Sequence, residues 1–403
     1  MNRFQDFYLP FLLGFLNFVN FKSFGQLILI ELIAVVLFVI IKILFLSESK
    51  YQYGKEIRYI FYLGFLWLLG VLLSDYYAHS VRIETSKSVA QILVLLVLLF
   101  WVFTWLIQNK NRVTFYIIGF IFSSIPAYFF SPGIYDQLET WKFIVGPNLT
   151  LLLFLFIGRM KFNQMTTYCL IVGLASIDLI LGSRSLALIT LITLSTYRTT
   201  PLTKNKIFGT IIMVIIAGIS LYSLNFIYSN LAMQGKLGLN QQIKYLQQSQ
   251  AGPILLSGRS ELVYELGAIS ETRFLGLGSD PYLNSSILEK TFLMENKLGV
   301  EHNSTTAYLD YTFNGKIPSH SIIFSMWFEG GVLAGFFWIY ILFITFRWFM
   351  KIPTVSQPFG LLSKYLAIQL FWTVLFSPLG AGTRVVMAFS LGIIFLQSRL
   401  QSI

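Results

Sequence analysis

The chain has 403 residues, 56% of them hydrophobic and only 12% charged, more apolar surface than a soluble domain can hide in one core, so lipid must solvate much of it. The formal net charge of +11 does not mark a nucleic-acid binder, because the Lys and Arg residues stand in short clusters at the ends of apolar runs. The single cysteine, Cys169, lies inside an apolar run and excludes a disulfide framework or a cysteine metal site within one chain.

Backbone polar groups in hydrocarbon need internal partners, so spanning elements are helices or a closed barrel, and long unbroken apolar runs select helices. In chain order the runs are 7–21, 27–46, 59–73, 89–107, 113–130, 143–157, 166–181, 186–197, 207–227, 322–349, 365–376 and 385–396. The segment Met1 to Asp6 leads into apolar sequence with no small-residue cleavage pattern and reads as the start of a retained first span. Runs 186–197, 365–376 and 385–396 are short and must borrow flanking residues, tilt, or be partly re-entrant. The expected fold is therefore an all-α polytopic transmembrane bundle of about twelve spans. Residues 1–228 carry about nine helices, 229–319 form one large extracytoplasmic loop containing short helices, and 320–403 carry about three more.

With twelve alternating spans, one side collects sixteen Lys and Arg residues, from Arg3, Lys42 and Arg58 to Lys351, Lys364 and Arg399. The opposite short loops carry six: Lys22, Arg82, Lys87, Lys142, Arg184 and Arg384. The positive-inside bias puts both termini in the cytoplasm and the long loop outside. The cytoplasmic loops are too short to house a nucleotide-binding domain and contain no Walker or Rossmann glycine pattern, so activated substrate must come from elsewhere. No internal repeat with matching broken helices is visible, which weighs against a secondary transporter.

Three histidines exist, His79, His302 and His320, all expected at or near the outer side. His320 opens HSIIFSMWFEGGVLAGFF at the outer mouth of a span, where an imidazole could accept a proton from an incoming hydroxyl; an interfacial histidine bonded to backbone is the plainer alternative. Arg259, in LSGRSELVYELG, starts a helix-like stretch of the loop with Ser257 or Ser260 as a cap. Arg184 interrupts apolar sequence from Thr166 to Tyr197, a costly position unless it lines the interface or a polar cavity. Guanidinium forks suit phosphate, so two converging arginines would suit a pyrophosphate; Arg384 is a third candidate, with a helix-end anchor as its plainer role. The remaining oddities are the acids Glu31, Asp75, Asp178 and Glu329, the last about 13 Å along a helix from His320 and out of direct reach. Gly331 and Gly335 form a GxxxG pair, for which close helix packing is the default explanation. No residues stand at metal-ligand spacing, and neither a catalytic metal nor a cofactor is expected.

Three stretches together resemble the O-antigen ligase and polysaccharide-polymerase superfamily of many-span proteins with one large outer loop. His320 and Ser321 are followed by nine residues and Gly331, as in the family's pattern, but the last position is Ala334, with Gly335 one step late. SGRSELVYELGAISETRFLGLGSDPY is similar to the family's loop segment, with Arg259 opening a helix and Gly276 and Gly278 as its Gly-x-Gly. GSRS around Arg184 resembles the arginine at the end of a central span, whereas His302 and Asn303 lack the glycine and the following span.

The resemblance implies a metal-independent, inverting glycosyltransferase of the bacterial inner membrane, its large loop periplasmic. It would take glycan from a polyprenyl-diphosphate carrier to an acceptor hydroxyl, with membrane lipid and a chain-length regulator or flippase as further partners. Arg184 and Arg259 would hold the diphosphate, with Arg384 and Ser321 as further substrate contacts, and His320 would orient or deprotonate the acceptor. The incomplete glycine pattern leans toward a repeat-unit polymerase rather than a ligase acting on lipid A-core. A polysaccharide or lipid transporter is the different-class alternative.

Overall fold

The computed structural model of the chain describes residues 3–21, 27–36, 54–130, 140–160, 162–196, 206–250, 261–272, 274–299, 315–352 and 359–399. Where they are described, the twelve apolar runs are mostly helical, but the end of run 7–21 and the start of run 27–46 leave helix for a short ladder. A π-helical turn Phe4–Tyr8 leads into α1 (Leu9–Phe15), and a two-residue antiparallel ladder, β1 (Asn20–Phe21) with β2 (Leu27–Ile28), turns the chain into α2 (residues 29–36). There follow α3 (Lys55–Ala78), α4 (Arg82–Thr104), α5 (Lys110–Phe122), α6 (Ser124–Phe130), α7 (Gly146–Met160), α8 (Gln164–Ile180), α9 (Arg184–Thr196) and α10 (Lys206–Met233). The loop region contributes α11 (Leu239–Gln250), α12 (Glu261–Glu271) and α13 (Ser285–Leu298), and the chain ends with α14 (Ile322–Phe349), α15 (Gly360–Phe376) and α16 (Ala381–Arg399).

Among the described residues, six helical stretches, Lys55–Ala78, Arg82–Gln108, Lys110–Phe129, Trp141–Met160, Ile322–Phe349 and Ala381–Arg399, are long and apolar enough to cross a membrane. α8, α9 and α15 are shorter apolar helices, although α15 and α16 do extend into flanking sequence, beginning at Gly360 and Ala381. α3 shows what solvent the outside expects. It buries Ile57, Ile60, Gly64, Trp67, Val71 and Ser74 at alternating three- and four-residue steps, yet its opposite face exposes Tyr59, Tyr62, Phe65, Leu69 and Leu72. A water-facing helix would make that second face polar.

α14 packs along α3 through the core of the bundle, with Trp67 stacked on Phe337 and edge-on to Trp338. Their closest approach uses Gly70, whose missing Cβ leaves room for the Gly330 carbonyl, and Gly330, which lies against Val71. The contact pair is thus Gly70 with Gly330. Gly335 instead receives the Trp327 ring of its own helix, and Gly331 has a different task, described below. At the Lys55 end of α3, Glu56 accepts from Trp348 Nε1 at 2.8 Å and pairs with Arg347 at 3.3 Å.

Candidate functional site

α9 begins at Arg184, directly after the tight turn Leu181–Ser183 in which Gly182 adopts φ +79°. The guanidinium lies over the Tyr228 ring of α10, 4.4 Å from its centroid, and Nη2 donates to Gln248 Oε1 of α11 at 2.9 Å. Among the described residues it forms no ion pair: the nearby acid Asp178 instead accepts from Trp141 Nε1 at 3.0 Å. A partly exposed guanidinium stacked on an aromatic, with most of its N–H fork uncommitted, can take an anion.

α15 relates Arg184 to His320. Lys364, near the start of α15, donates to the carbonyl of Thr196, the last residue of α9, at 2.6 Å. The two helices pack side by side, with Trp372 against the apolar cluster of Ala187 and Leu188. Arg184, about 18 Å back along α9, therefore stands level with the Phe376 end of α15. At that same end Ser321 Oγ donates to the carbonyl of Val374 at 3.4 Å. Arg184, the first residue of α9, and His320, two residues ahead of α14, share one end of the bundle, and both helices pack on α15.

Ser321 is the N-cap of α14, its hydroxyl accepting from Phe324 N at 3.5 Å, and it is fully buried. The exposed amides of this helix start are held from the loop. Glu265, in the middle of α12, accepts through Oε1 from the backbone N–H of His320 at 2.6 Å and of Ser321 at 2.9 Å. Burial raises the Glu265 carboxyl to about 8, against the pull of those two N–H groups and with the help of Glu261 one turn away. His320 itself is only partly exposed, and its Nδ1 is buried without a hydrogen-bond partner among the described residues.

The loop reaches further into the bundle. α14 is broken at Gly331, whose φ of +69° and ψ of −161° no helix contains. The strip Phe274–Gly278 lies across the break: Leu277 N donates to Phe328 O at 2.6 Å and Gly278 N to Glu329 O at 3.2 Å, while Phe274 O accepts from Val332 N at 3.0 Å. The strip thereby supplies partners to backbone groups that the break would strand. Just beyond, Gly278 N donates to Ser74 Oγ at 2.8 Å and Ser279 donates twice to Asp75, from N at 2.5 Å and from Oγ at 2.8 Å. Lys316 ties the same region to α4 through Glu84 at 3.5 Å and also pairs with Asp280. A small satellite core of Ala268, Ile287 and Ile317 is completed by Phe328 of α14, so the loop and the broken helix share one packed unit.

Of the other sequence candidates, Arg384 is fully buried, gripping the equally buried Glu31 of α2 through Nε at 2.8 Å and Nη2 at 3.1 Å. Its guanidinium is committed to a carboxylate of its own chain. Arg259 and His302 lie outside the described residues. Sequence reasoning missed Glu265, although Glu261 and Glu265 at i and i+4 would repel on an exposed helix face, which is a signal that one of them is buried. It also missed the break, because Gly331 within an apolar run looks like any packing glycine. Compared with known protein families, with curated proteins and with solved structures, the chain gives no match.

Proposed function

We propose that this chain is a membrane glycosyltransferase that carries glycan from a polyprenyl-diphosphate donor to an acceptor hydroxyl on the outer face of the bacterial inner membrane, acting as a repeat-unit polymerase. The observation that carries the reading is the shared end of α15: a guanidinium at the start of α9 with no ion-pair partner among the described residues, and, two residues ahead of α14, an imidazole nitrogen with no hydrogen-bond partner among them. These are the two functions such a transfer needs, an anion binder and a base.

In the transfer the acceptor oxygen forms a bond to the anomeric carbon as the bond from that carbon to the phosphate oxygen breaks. The electron pair leaves with the polyprenyl diphosphate, whose growing charge Arg184 and Arg259 stabilise, and the hydroxyl proton passes to His320. The about twelve alternating spans expected from the charge bias put this chemistry on the side away from nucleotide sugars, which a lipid-linked donor makes unnecessary.

The test is a transfer assay with purified protein, lipid-linked glycan and EDTA. His320→Ala and Arg184→Ala are expected to abolish chain growth while EDTA leaves the wild type unaffected. Full activity of either variant, or inhibition by EDTA, would sink the assignment. A deletion strain making single-repeat caps marks a polymerase; bare lipid A-core marks a ligase.

A further inference from the structure

The loop meets α14 at two levels. In the clasp, Glu265 holds the helix start, and the strip Phe274–Gly278 is bonded into the break at Gly331, further along the helix. α3, which packs along α14, gives the depth of that second contact. From Tyr59 to Tyr77 every exposed side chain of α3 is Tyr, Phe or Leu, with tyrosines at both ends of the row. Tyr59 and Tyr62 stand beside the charged turn of Lys55, Glu56 and Arg58, and Tyr76 and Tyr77 stand beside the loop. The helix between Tyr59 and Tyr77 is about 27 Å long. That matches the hydrocarbon layer of a bilayer, roughly 30 Å thick, whose two faces tyrosine favours.

On that scale the strip lies below the outer face. Gly70 of α3 sits against the Gly330 carbonyl, Leu333 and Ala334, which sets it level with Val332. Val332 N donates to Phe274 O at 3.0 Å. Phe274 is therefore level with Gly70, about 9 Å deeper along α3 than Tyr76. From there the strip climbs back, reaching Ser74 at Gly278 and Asp75 at Ser279, where polar side chains resume.

Composition and exposure agree with that depth. The strip reads FLGLG, without a charged or hydrogen-bonding side chain. α14 exposes Phe336, Ile339 and Phe343 in one stripe, whose next positions toward the loop are Val332 and Glu329. Both are half-buried, because the strip lies on them: Phe274 is bonded to Val332, and Gly276 rests on the Glu329 carbonyl. The strip thus takes the place that lipid has further down the helix. Non-helical backbone is tolerated at such depth where protein supplies its partners, as the break does for Phe274 O, Leu277 N and Gly278 N. The Phe274 side chain is 81% exposed, and among the described residues no large apolar side chain is more so.

We propose that the strip Phe274–Gly278 is re-entrant, dipping into the outer leaflet, and that Phe274 contacts lipid acyl chains and holds the loop at the membrane. Lipid rather than a second copy of the chain is the occupant, because Phe274 extends an apolar surface that continues down α14 and along the full exposed row of α3. A band of that height is what a bilayer covers. The proposal needs α3 and α14 to cross the membrane and holds whatever the chain transfers.

The experiment places a nitroxide label on the full chain in vesicles of phosphatidylethanolamine and phosphatidylglycerol. Cys169, which is exposed, is first removed as Cys169→Ser. Phe274→Cys is compared with Phe336→Cys on the lipid-facing stripe and with Tyr282→Cys, exposed on the loop beyond the strip. At 274 and 336, relaxation by oxygen, which concentrates in acyl chains, is expected to exceed relaxation by a water-soluble nickel chelate several-fold; at 282 the chelate is expected to dominate. Nickel access at 274 like that at 282 would put the strip in water and overturn the proposal. Shielding of 274 from both reagents would overturn it too, with spin–spin broadening identifying a second copy as the cover. Wild-type protein covers the case in which Phe274→Cys fails to fold. With a lipid carrying a diazirine in its acyl chain, adducts are expected within residues 274–278 as well as on α3 and α14, and labelling that spares the strip would overturn the insertion.

Discussion

Gly276 lies against the backbone carbonyl of Glu329, so closely that a Cβ on Gly276 would overlap it. That approach lets the loop strip enter the break in α14, and Gly331 makes the complementary concession with a left-handed φ that an L side chain strains to adopt. Gly276→Ala and Gly331→Ala are each expected to cost at least about 1–2 kcal/mol and to raise proteolysis of the loop, read as thermal unfolding and limited digestion in detergent. Gly173→Ala on α8, where a Cβ meets nothing within 4 Å, is the control and should be neutral or slightly stabilising. Equal behaviour of all three would mean that the loop is not anchored through the break.

How legible this was depended on how local the cause is. Apolar runs such as 59–73 and 322–349 announced α3 and α14 because a helix in lipid is decided by its own residues. Gly331 resembled a packing glycine because its cause, the strip at Phe274–Gly278, lies more than fifty residues upstream. Arg384 resembled a substrate arginine for the same reason: its partner, Glu31, is 353 positions away, and periodicity carries no trace of that pairing. His320 and Arg184 were visible because a titratable or charged side chain in apolar sequence is conspicuous wherever its partners are. Their common end of the bundle became visible only through α15.

The Arg384–Glu31 pair is expected to be structural. Removing one partner leaves a charge uncompensated in the core, so Arg384→Met or Glu31→Leu alone should destabilise by about 3–5 kcal/mol. The double variant should recover most of that loss, since the desolvation of both charges goes with them. Unfolding midpoints of the three variants check this. An Arg384→Met variant as stable as wild type but unable to transfer glycan would return Arg384 to the substrate site.

Glu265 gives the fold a pH signature. Its carboxyl is raised from the ordinary 4.5 to about 8, so the folded state holds a proton that the unfolded chain releases. The stabilisation linked to that proton is complete below 4.5 and is lost as pH rises toward about 8. Wild-type protein should therefore lose thermal stability relative to Glu265→Gln between pH 5 and pH 8, with the gap levelling off above. Parallel curves would show that the carboxyl is ionised in the clasp.

Arg184 tests how the donor end is kept ready. Gln248 is a neutral partner whose hydrogen bond contributes on the order of 1 kcal/mol, whereas a diphosphate offers charge-assisted, bidentate contact and should displace it readily. The Tyr228 ring, 4.4 Å beneath, keeps the guanidinium plane oriented through that exchange. Arg184→Lys preserves the charge but loses the fork and the stacking, and should lower kcat/KM for the donor by about 10- to 100-fold, chiefly through KM. Gln248→Ala releases the guanidinium from its competitor and should leave donor KM unchanged or lower it by a few-fold. If Gln248→Ala instead raises donor KM as far as Arg184→Lys does, α11 assembles the donor site rather than merely occupying it, and Gln248 stays in place when the diphosphate binds.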